Sequence, residues 1–186
     1  MHKPEKMKKE FSKVEDENWT FRAFLKGTEP DDLDKLVNEL HSTLFKEVDC
    51  RSCQSCCKSI VPAISNKDIA RLSQKLGMTF DAFKAKYLVK SEAEWVINSK
   101  PCPFLTAEGC SVYDARPVAC REYPYTDKKE TVCRLYNLVS NCEVCPVVFE
   151  IFEKLKGIYK KEFDEYKEEM LPYWDKLFGG KSHITF

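Results

Sequence analysis

The apolar residues of this chain recur mostly three and four positions apart, the spacing of helices that pack one face against a core. The first such helix is predicted over about residues 30 to 47, where Pro30 suits the first turn and the two aspartates after it favour the positive end of the helix. Its apolar side is formed by Leu33, Leu36, Val37, Leu40 and Leu44. Charged residues dominate positions 1 to 18, which are predicted to form an extended or partly helical arm.

Two more helices are predicted in the middle of the chain. Ser65 and Asp68 have the pattern of a capping box, and the apolar run that follows them stops at Gly77. Thr79 then predicts the start of a third helix that carries apolar side chains through Leu88. The proline before Ser65 makes the preceding stretch an edge strand or an irregular loop.

Helices also dominate the C-terminal third. Thr126 predicts the start of a helix that runs through Val139, and Pro146 suits the first position of a long amphipathic helix. A last helix is predicted over residues 159 to 178, where Pro172 is expected to kink or divide it. Between these two groups of helices, residues 95 to 124 alternate short strand-like segments with cysteines, and a small antiparallel hairpin is predicted with its turn at Gly109.

Composition and charge narrow the range of functions. Thirty basic and thirty acidic residues cancel, so nucleic acid is not the expected partner. The sequence has no apolar run of roughly 18 residues, the length needed to span a bilayer, so no membrane partner is expected. The first ten residues have the charge of a signal peptide, but no apolar stretch follows them. We therefore expect a cytoplasmic protein whose ten cysteines are ligands rather than disulfides.

The densest chemistry lies at residues 50 to 57, Cys-Arg-Ser-Cys-Gln-Ser-Cys-Cys. Four thiols in eight positions do not match the spacing of apolar residues in a helix or a strand. The residues between the thiols are polar, which indicates a loop that folds around a ligand. Cysteine pairs two residues apart can direct both sulfurs to one point, as in tetrahedral zinc sites and iron–sulfur clusters. The segment is therefore predicted to bind a metal.

Further cysteine motifs follow this segment in order along the chain. They are Cys102-Pro-Phe-Leu, Cys110-Ser-Val-Tyr, Arg116-Pro, Cys120-Arg-Glu-Tyr-Pro and Cys145-Pro. With the Cys-x-x-Cys-x-x-Cys-Cys segment, they resemble the YkgJ family of cysteine-cluster proteins, described as zinc- or iron-chelating domains. Members are often labelled iron–sulfur oxidoreductases or flagellin lysine N-methylases. The resemblance covers about residues 48 to 157.

The resemblance implies that eight cysteines form the site. They are Cys50, Cys53, Cys56, Cys57, Cys102, Cys110, Cys120 and Cys145. These eight would make two four-thiolate sites, one polynuclear cluster, or one site and a redox pair. Cys142 lies outside the eight but has chelating spacing with the last of them, whereas Cys133 is interpreted as a small buried residue within a helix.

The identity of the metal stays open between two chemistries. Zinc held by four thiolates is redox-silent and would act as a structural element. The three cysteines at three-residue spacing and the remote Cys-Pro are typical of the bacterial ferredoxin run, which favours an iron–sulfur cluster slightly. The adjacent pair Cys56-Cys57 departs from that run, so its two sulfurs serve different metals or one of them bridges. Arg116 and Arg121 are predicted to neutralise thiolate charge beside this cofactor, although pairing of Arg116 with Asp114 is an equal alternative.

The predicted fold class is α+β and mostly α-helical, with a small antiparallel hairpin and cysteine-rich loops around a metal centre, and long C-terminal helices. Three regions are expected: an N-terminal arm and helix (1–47), a cysteine-cluster metal-binding domain (48–157), and a C-terminal helix and tail (158–186). The chain is predicted to be a cytosolic protein that binds a polythiolate metal centre, and a redox role for this centre is one of the expectations. The alternatives are an enzyme similar to a protein lysine N-methylase, and a structural or metal-handling zinc protein. The expected partners are metal ions, and the sequence does not identify a redox partner or a protein partner.

Overall fold

The computed structural model describes residues 3–178 and is mostly helical with small antiparallel sheets, which confirms the predicted fold class. The helices are α1 (Met7–Phe11), α2 (Glu15–Thr28), α3 (Leu33–Leu44), α4 (Cys50–Cys53), α5 (Ser55–Ser59), α6 (Asn66–Lys75), α7 (Phe80–Tyr87), α8 (Val118–Glu122), α9 (Thr131–Cys142), α10 (Pro146–Ile158) and α11 (Lys160–Phe178). The strands are β1 (Ala63–Ile64), β2 (Leu88–Ser91), β3 (Glu94–Ile97), β4 (Leu105–Thr106) and β5 (Gly109–Cys110).

The folded chain divides into two compact units. The cysteine unit is Asp49–Tyr125, and the helical unit is the chain up to Val48 together with the chain from Thr126 onward. The predicted regions 1–47, 48–157 and 158–186 follow sequence motifs and stay a prediction. The two divisions differ because the chain leaves the helical unit to form the cysteine unit and then returns to it.

The helical unit is organised around α10, which is apolar on most of its surface. Its buried apolar side chains include Val147, Val148, Phe149, Ile151, Phe152 and Leu155. An aromatic cluster lies against it, in which the ring of Phe21 meets Phe152 edge to face at 6.1 Å and Phe163 at 4.9 Å. The predicted arm is helical from Met7, and its Met7 and Phe11 side chains are buried in the same core.

The predicted start of α9 is wrong. The helix begins at Thr131 rather than at Thr126, because its cap comes from a distant part of the same unit. The Asp34 carboxylate accepts hydrogen bonds from the backbone N–H groups of Glu130 at 2.7 Å and Thr131 at 2.8 Å. Thr126 is buried, and its hydroxyl is 2.7 Å from Nδ1 of His41.

The last described helix, α11, runs through Pro172 without a break, so the helix is not divided there, and the alternative of a kink at Pro172 stays a prediction. The C-terminal tail from residue 179 lies outside the described residues. No single helix among residues 3–178 has the length and apolar character to cross a membrane. By length and composition α9 and α10 pass that test only as a pair, and they are bent by 118° at their junction.

The cysteine unit contains two small antiparallel sheets. In the three-stranded sheet, β3 lies between β1 and β2, so the segment after Pro62 is an edge strand as predicted. The predicted hairpin forms from β4 and β5, and Gly109 has a φ of 112° where the chain leaves the turn. A second hairpin, β2 with β3, was not predicted, because Leu88 was assigned to the helix that ends just before it.

Sequence signals identified two helices of this unit, α6 and α7, correctly, whereas the short helix α8 was not predicted. Ser65 and Asp68 form both bonds of the predicted capping box at the start of α6, and Gly77 has a φ of 64° just after the end of the helix. The hydroxyl of Thr79 accepts a hydrogen bond from the N–H of Ala82 at 3.2 Å and caps α7. The small core of the unit lies between these helices and the three-stranded sheet.

Candidate metal centre

The first four cysteines lie on two short helices rather than on the loop that the polar residues predicted. Asp49 caps α4, because its carboxylate accepts hydrogen bonds from the N–H of Arg51 at 3.0 Å and the hydroxyl of Ser52 at 2.5 Å. Gln54 adopts a left-handed φ of 56°, which ends α4 and redirects the chain into α5. The four thiols are therefore divided into two pairs, one pair on each side of Gln54.

Backbone contacts bring the next two cysteines to this segment. The N–H of Cys102 donates to the carbonyl of Cys57 at 2.9 Å. Cys110 pairs with Leu105 in the β4–β5 hairpin, and the neighbouring Gly109 lies against α4. A Cβ atom at Gly109 would lie 3.4 Å from the backbone oxygen of Arg51, closer than most such contacts, so the glycine permits the close approach of the hairpin to α4.

Electrostatics shows that the thiols of this unit are neighbours of one another. Burial raises the pKa of the Cys102, Cys110 and Cys120 thiols, and the charge on Cys57 adds to the rise at each of them. For Cys120 the result is a pKa of about 12. The Cys50 thiol also has a raised pKa, caused first by burial and then by other thiolates and Asp49, with Cys57 among its neighbours.

Cys57 differs from these four thiols. A hydrogen bond from the Cys56 thiol lowers the pKa of Cys57 to about 7, and the positive charge of Arg116 contributes to this shift. A cluster with one easily ionised thiol and several that resist ionisation is what mutual repulsion of thiolates produces. A bound cation removes that repulsion, which is why metal binding to thiols releases protons.

The donor chemistry of these residues fits zinc or iron. None of the seven cysteines of the unit forms a disulfide, and thiolate sulfur is the ligand that zinc and iron–sulfur clusters share. Within residues 3–178 no three His, Cys, Asp or Glu side chains already have the arrangement of a metal site. Loading the centre therefore requires the thiols to turn toward a common point.

Two arginines and a tyrosine stand beside the thiols. The guanidinium carbon of Arg116 lies 3.4 Å from the centroid of the Tyr113 ring, and that of Arg51 lies 4.8 Å from the same ring. Nε of Arg116 donates to the Tyr113 carbonyl at 3.0 Å, so Tyr113 rather than Asp114 fixes this side chain. The positive charge of Arg116 acts against the rise in pKa that burial causes at three thiols: Cys50, Cys110 and Cys120.

Arg116 and Arg121 were both predicted to lie beside the cofactor, and the structure places only the first of them near the thiols. Arg116 lies beside the thiols, whereas Arg121 is exposed on α8, and its role beside a cofactor stays a prediction. Sequence reasoning missed Arg51 and Tyr113. Arg51 stands within the cysteine run, and an arginine between chelating cysteines is the signal that could have identified it.

The other three cysteines belong to the helical unit. Cys133 is exposed, so its interpretation as a buried residue is wrong. Cys142 is fully buried, its Sγ–H donates to the Leu138 carbonyl at 3.3 Å, and burial raises its pKa well above 9.0. Cys145 is half-buried at the position before α10, where its side chain makes no capping hydrogen bond. The structure thus gathers seven of the eight predicted ligands in one unit and places the eighth, Cys145, in the other.

A compact unit with seven cysteines, none of them in a disulfide, has the composition of a cysteine-rich, metal-chelating class of domain. The chain belongs to the CxxCxxCC family, whose description is "Putative zinc- or iron-chelating domain" and whose model matches residues 49–147. The match includes the whole cysteine unit and continues through Cys145 to the start of α10. No curated protein and no solved structure matches the chain.

Proposed function

We propose that the cysteine unit holds a polythiolate metal centre, with an iron–sulfur cluster slightly favoured over zinc. The observation that carries the proposal is the packing of the segments of Cys102 and Cys110 on the 50–57 run: the N–H of Cys102 donates to the carbonyl of Cys57 at 2.9 Å, and β5 lies against α4. The influence of Cys57 on the pKa values of the Cys50, Cys102, Cys110 and Cys120 thiols agrees with this packing. Free thiols gathered in this way are expected to persist in a reducing cytoplasm. The proposed ligands are Cys50, Cys53, Cys56, Cys57, Cys102, Cys110, Cys120 and Cys145.

The division of the cysteine run supports more than one metal ion or a cluster. Gln54 separates the pair on α4 from the pair on α5, and four thiolates suffice for one zinc ion or one iron–sulfur cluster. Eight ligands would therefore serve two four-thiolate sites. The Cys56 thiol hydrogen-bonds to Cys57, so this adjacent pair is the one through which the two sites would be linked.

The neighbouring cations support a redox role. A four-thiolate centre carries excess negative charge, and the guanidinium groups of Arg51 and Arg116 stand on the ring of Tyr113 close to the thiols. Positive charge and hydrogen bonds near cluster sulfurs raise the reduction potential of an iron–sulfur cluster. We infer that these two arginines compensate the charge of the centre and, with iron bound, set its potential.

Anaerobic purification tests the proposal, followed by elemental analysis, acid-labile sulfide measurement and a visible spectrum. An iron–sulfur centre gives iron and sulfide together with broad visible absorption, whereas a zinc centre is colourless and gives zinc alone. Thiol counting on denatured, metal-stripped protein should find nearly all ten thiols free. A chain that carries neither metal, or that contains several disulfides after anaerobic isolation, would contradict the proposal.

Single substitutions test the ligand set. Cys53→Ser and Cys120→Ala are expected to lower the metal-to-protein ratio, because each removes a proposed ligand. Cys133→Ala is the matched control, since this thiol is exposed and belongs to the helical unit. Cys145→Ala is expected to lower bound metal as well, and equal metal content in Cys145→Ala and Cys133→Ala would remove Cys145 from the ligands.

A further inference from the structure

A buried carboxylate of α6 reaches beyond its own helix. Asp68 is only 2% exposed, and its two oxygens have different partners. Oδ2 accepts hydrogen bonds from the N–H and hydroxyl of Ser65, at 3.2 and 2.6 Å, and so completes the helix cap. Oδ1 accepts from Arg71 at 2.5 Å and from the N–H of Val118 at 3.2 Å. Capping uses only Oδ2, so the second oxygen has a separate role.

Arg71 extends this contact along the same distant segment. Its Nε donates to the carbonyl of Ala115 at 3.2 Å, and its Nη2 donates to the carbonyl of Arg116 at 2.7 Å. With Asp68 it therefore binds three backbone groups between residues 115 and 118. We name Asp68 and Arg71 the α6 clamp.

The segment held by the α6 clamp carries two groups of the centre. Val118 is the first residue of α8, and the N–H groups at the start of a helix have no acceptor within that helix. Cys120 lies two residues after Val118. The carbonyl of Arg116 is bound directly, and the guanidinium of the same residue lies beside the thiols. A helix of five residues does not hold its own conformation, so its position depends on contacts such as these.

The charge of Asp68 is maintained by these contacts. Burial alone would raise the pKa of its carboxyl group, but hydrogen bonds from Ser65 and Arg71 outweigh burial and keep the pKa below its ordinary value. A buried carboxylate whose partners are all satisfied rigidifies its surroundings, whereas loss of one partner leaves an unpaired buried group. The clamp therefore fixes the 115–118 backbone rather than merely touching it.

We propose that Asp68 and Arg71 are positioning residues of the metal centre, which act by fixing the backbone that presents the Cys120 thiol. This inference rests on the proposed function, because it takes Cys120 as a ligand. Its specific consequence is that substitutions in the α6 clamp and at Cys120 should have non-additive effects on metal affinity.

A double-mutant cycle with Zn²⁺ as the probe tests this coupling on the full chain. Zn²⁺ affinity is measured by competition with a chelator for the wild type, Asp68→Asn, Cys120→Ala and the double variant. Asp68→Asn is expected to weaken Zn²⁺ binding by roughly tenfold, the lower range for residues that orient metal ligands. In the Cys120→Ala background the same substitution should change affinity by less than about twofold, because the thiol it positions is gone.

Two further variants separate positioning from folding. Ser65→Ala removes a donor to Oδ2 and leaves the Oδ1 contacts, so it should keep nearly wild-type affinity. Arg71→Lys keeps a positive charge beside Asp68 but cannot reproduce the paired contacts to the two carbonyls, so it should weaken binding while circular dichroism stays that of the wild type. Arg71→Lys keeps the test decisive if Asp68→Asn does not fold.

The outcomes distinguish failure of the inference from failure of the proposed function. If Cys120→Ala weakens Zn²⁺ binding but Asp68→Asn and Arg71→Lys do not, the inference alone is wrong. Additive losses from Asp68→Asn and Cys120→Ala also overturn it, since they would show a general effect on stability. If Cys120→Ala binds Zn²⁺ like the wild type, the proposed ligand set is wrong, and the inference fails with it. If the wild type does not bind Zn²⁺, the inference fails in this form, while the proposed function is decided separately by the iron and sulfide measurements.

Discussion

The helical unit and the cysteine unit rest on apolar cores of different size. Among the described residues, twenty buried apolar side chains form the core of the helical unit, whereas nine form that of the cysteine unit. The smaller core includes Ala115 and extends outward to Cys102 and Cys110. A unit with so few buried side chains gains little from apolar burial and needs another source of stability. Metal–thiolate bonds are such a source in small metal-binding domains, and the proposed centre would supply them to the cysteine unit.

The two units also differ in what their buried charged side chains bind. In the helical unit a largely buried ammonium, that of Lys156 on α10, pairs with Glu17 of α2 at 2.5 Å and with Glu153 of its own helix at 2.7 Å. The Glu17 contact joins α10 to α2. In the cysteine unit the buried charge of Asp68 is bound to backbone N–H groups and to Arg71. The first arrangement connects elements that the apolar core already holds, whereas the second fixes a short segment that has little core of its own.

Metal removal should give the largest change in stability, and it should affect the cysteine unit but not the helical unit. Structural metal in small thiolate sites contributes about 10 kcal/mol or more to folding. Chelation under reducing conditions is therefore expected to unfold the cysteine unit while α9 and α10 of the helical unit keep their amide protection. Hydrogen exchange with mass spectrometry measures both units in one sample.

The control for metal removal is re-addition of the metal, which should restore protection within residues 49–125. Equal loss of protection in both units would contradict the comparison, because it would make the core of the helical unit dependent on the metal as well. Retained protection in both would show that the apolar core of the cysteine unit suffices.

Phe152→Ala should have the second largest effect, in the opposite unit. Phe152 is 1% exposed, and its ring packs on Phe21, so removing it leaves a cavity at a cost of about 3 to 5 kcal/mol. Denaturant unfolding should show a less stable helical unit with an unchanged metal-to-protein ratio. Ile158→Ala is the matched control on the same helix, because that side chain is 48% exposed and its loss should cost less than about 0.5 kcal/mol.

Thiol reactivity in the metal-free protein gives a smaller, pH-dependent contrast within the cysteine unit. Cys57 has a pKa of about 7, so it becomes a thiolate as the pH rises through that value. Cys120, with a pKa of about 12, stays protonated. At pH 8 alkylation of Cys57 should be faster by roughly tenfold or more, even though thiolates of lower pKa are less nucleophilic.

Peptide mapping after timed alkylation measures the two rates. The rate at Cys57 should fall as the pH is lowered below about 7, whereas Cys120 should stay slow over the same range. Cys56→Ala should slow Cys57 at neutral pH, because it removes the hydrogen bond that lowers the Cys57 pKa. Equal rates at Cys57 and Cys120 would contradict the arrangement described for this centre.

Local sequence signals predicted the parts of the fold that local contacts determine. The Ser65–Asp68 capping box and the Gly77 stop lie within a few residues of the helix ends they define. The spacing of the cysteine run likewise indicated a metal without any knowledge of the fold. The site beyond that run came from resemblance to a family, because no periodicity indicates that Cys102 meets Cys57.

Contacts between distant residues explain what the sequence did not predict. The start of α9 depends on Asp34, and the position of α8 depends on the α6 clamp, neither of which is near its target along the chain. The ring of Tyr113 also contacts Arg51, a residue from a distant part of the sequence, beside the nearby Arg116. Cys133 was assigned to the wrong side of α9, where its neighbours Val132 and Tyr136 resembled an apolar face although Tyr136 is 56% exposed.

The smallest expected effect tests the long-range cap in the helical unit. Glu130, the residue before α9, offers no side-chain cap of its own, so Asp34→Ala would leave the N–H groups of Glu130 and Thr131 without their acceptor. Loss of such a cap costs about 1 kcal/mol. Denaturant unfolding of the helical unit at pH 7 measures it, with exposed Asp31→Ala as the control.

The pH dependence of that loss identifies the carboxylate as its cause. Burial would raise the pKa of Asp34, but hydrogen bonds from Thr131 and Glu130 outweigh burial and lower the pKa below 3.8. A carboxylate whose pKa is lower in the folded state adds stability above its unfolded pKa and loses it as the pH falls through the folded value. The difference between wild type and Asp34→Ala should therefore be constant near neutral pH and shrink as the pH falls below about 3.8. A difference that persists unchanged into acid would assign the loss to packing of α3 rather than to the cap.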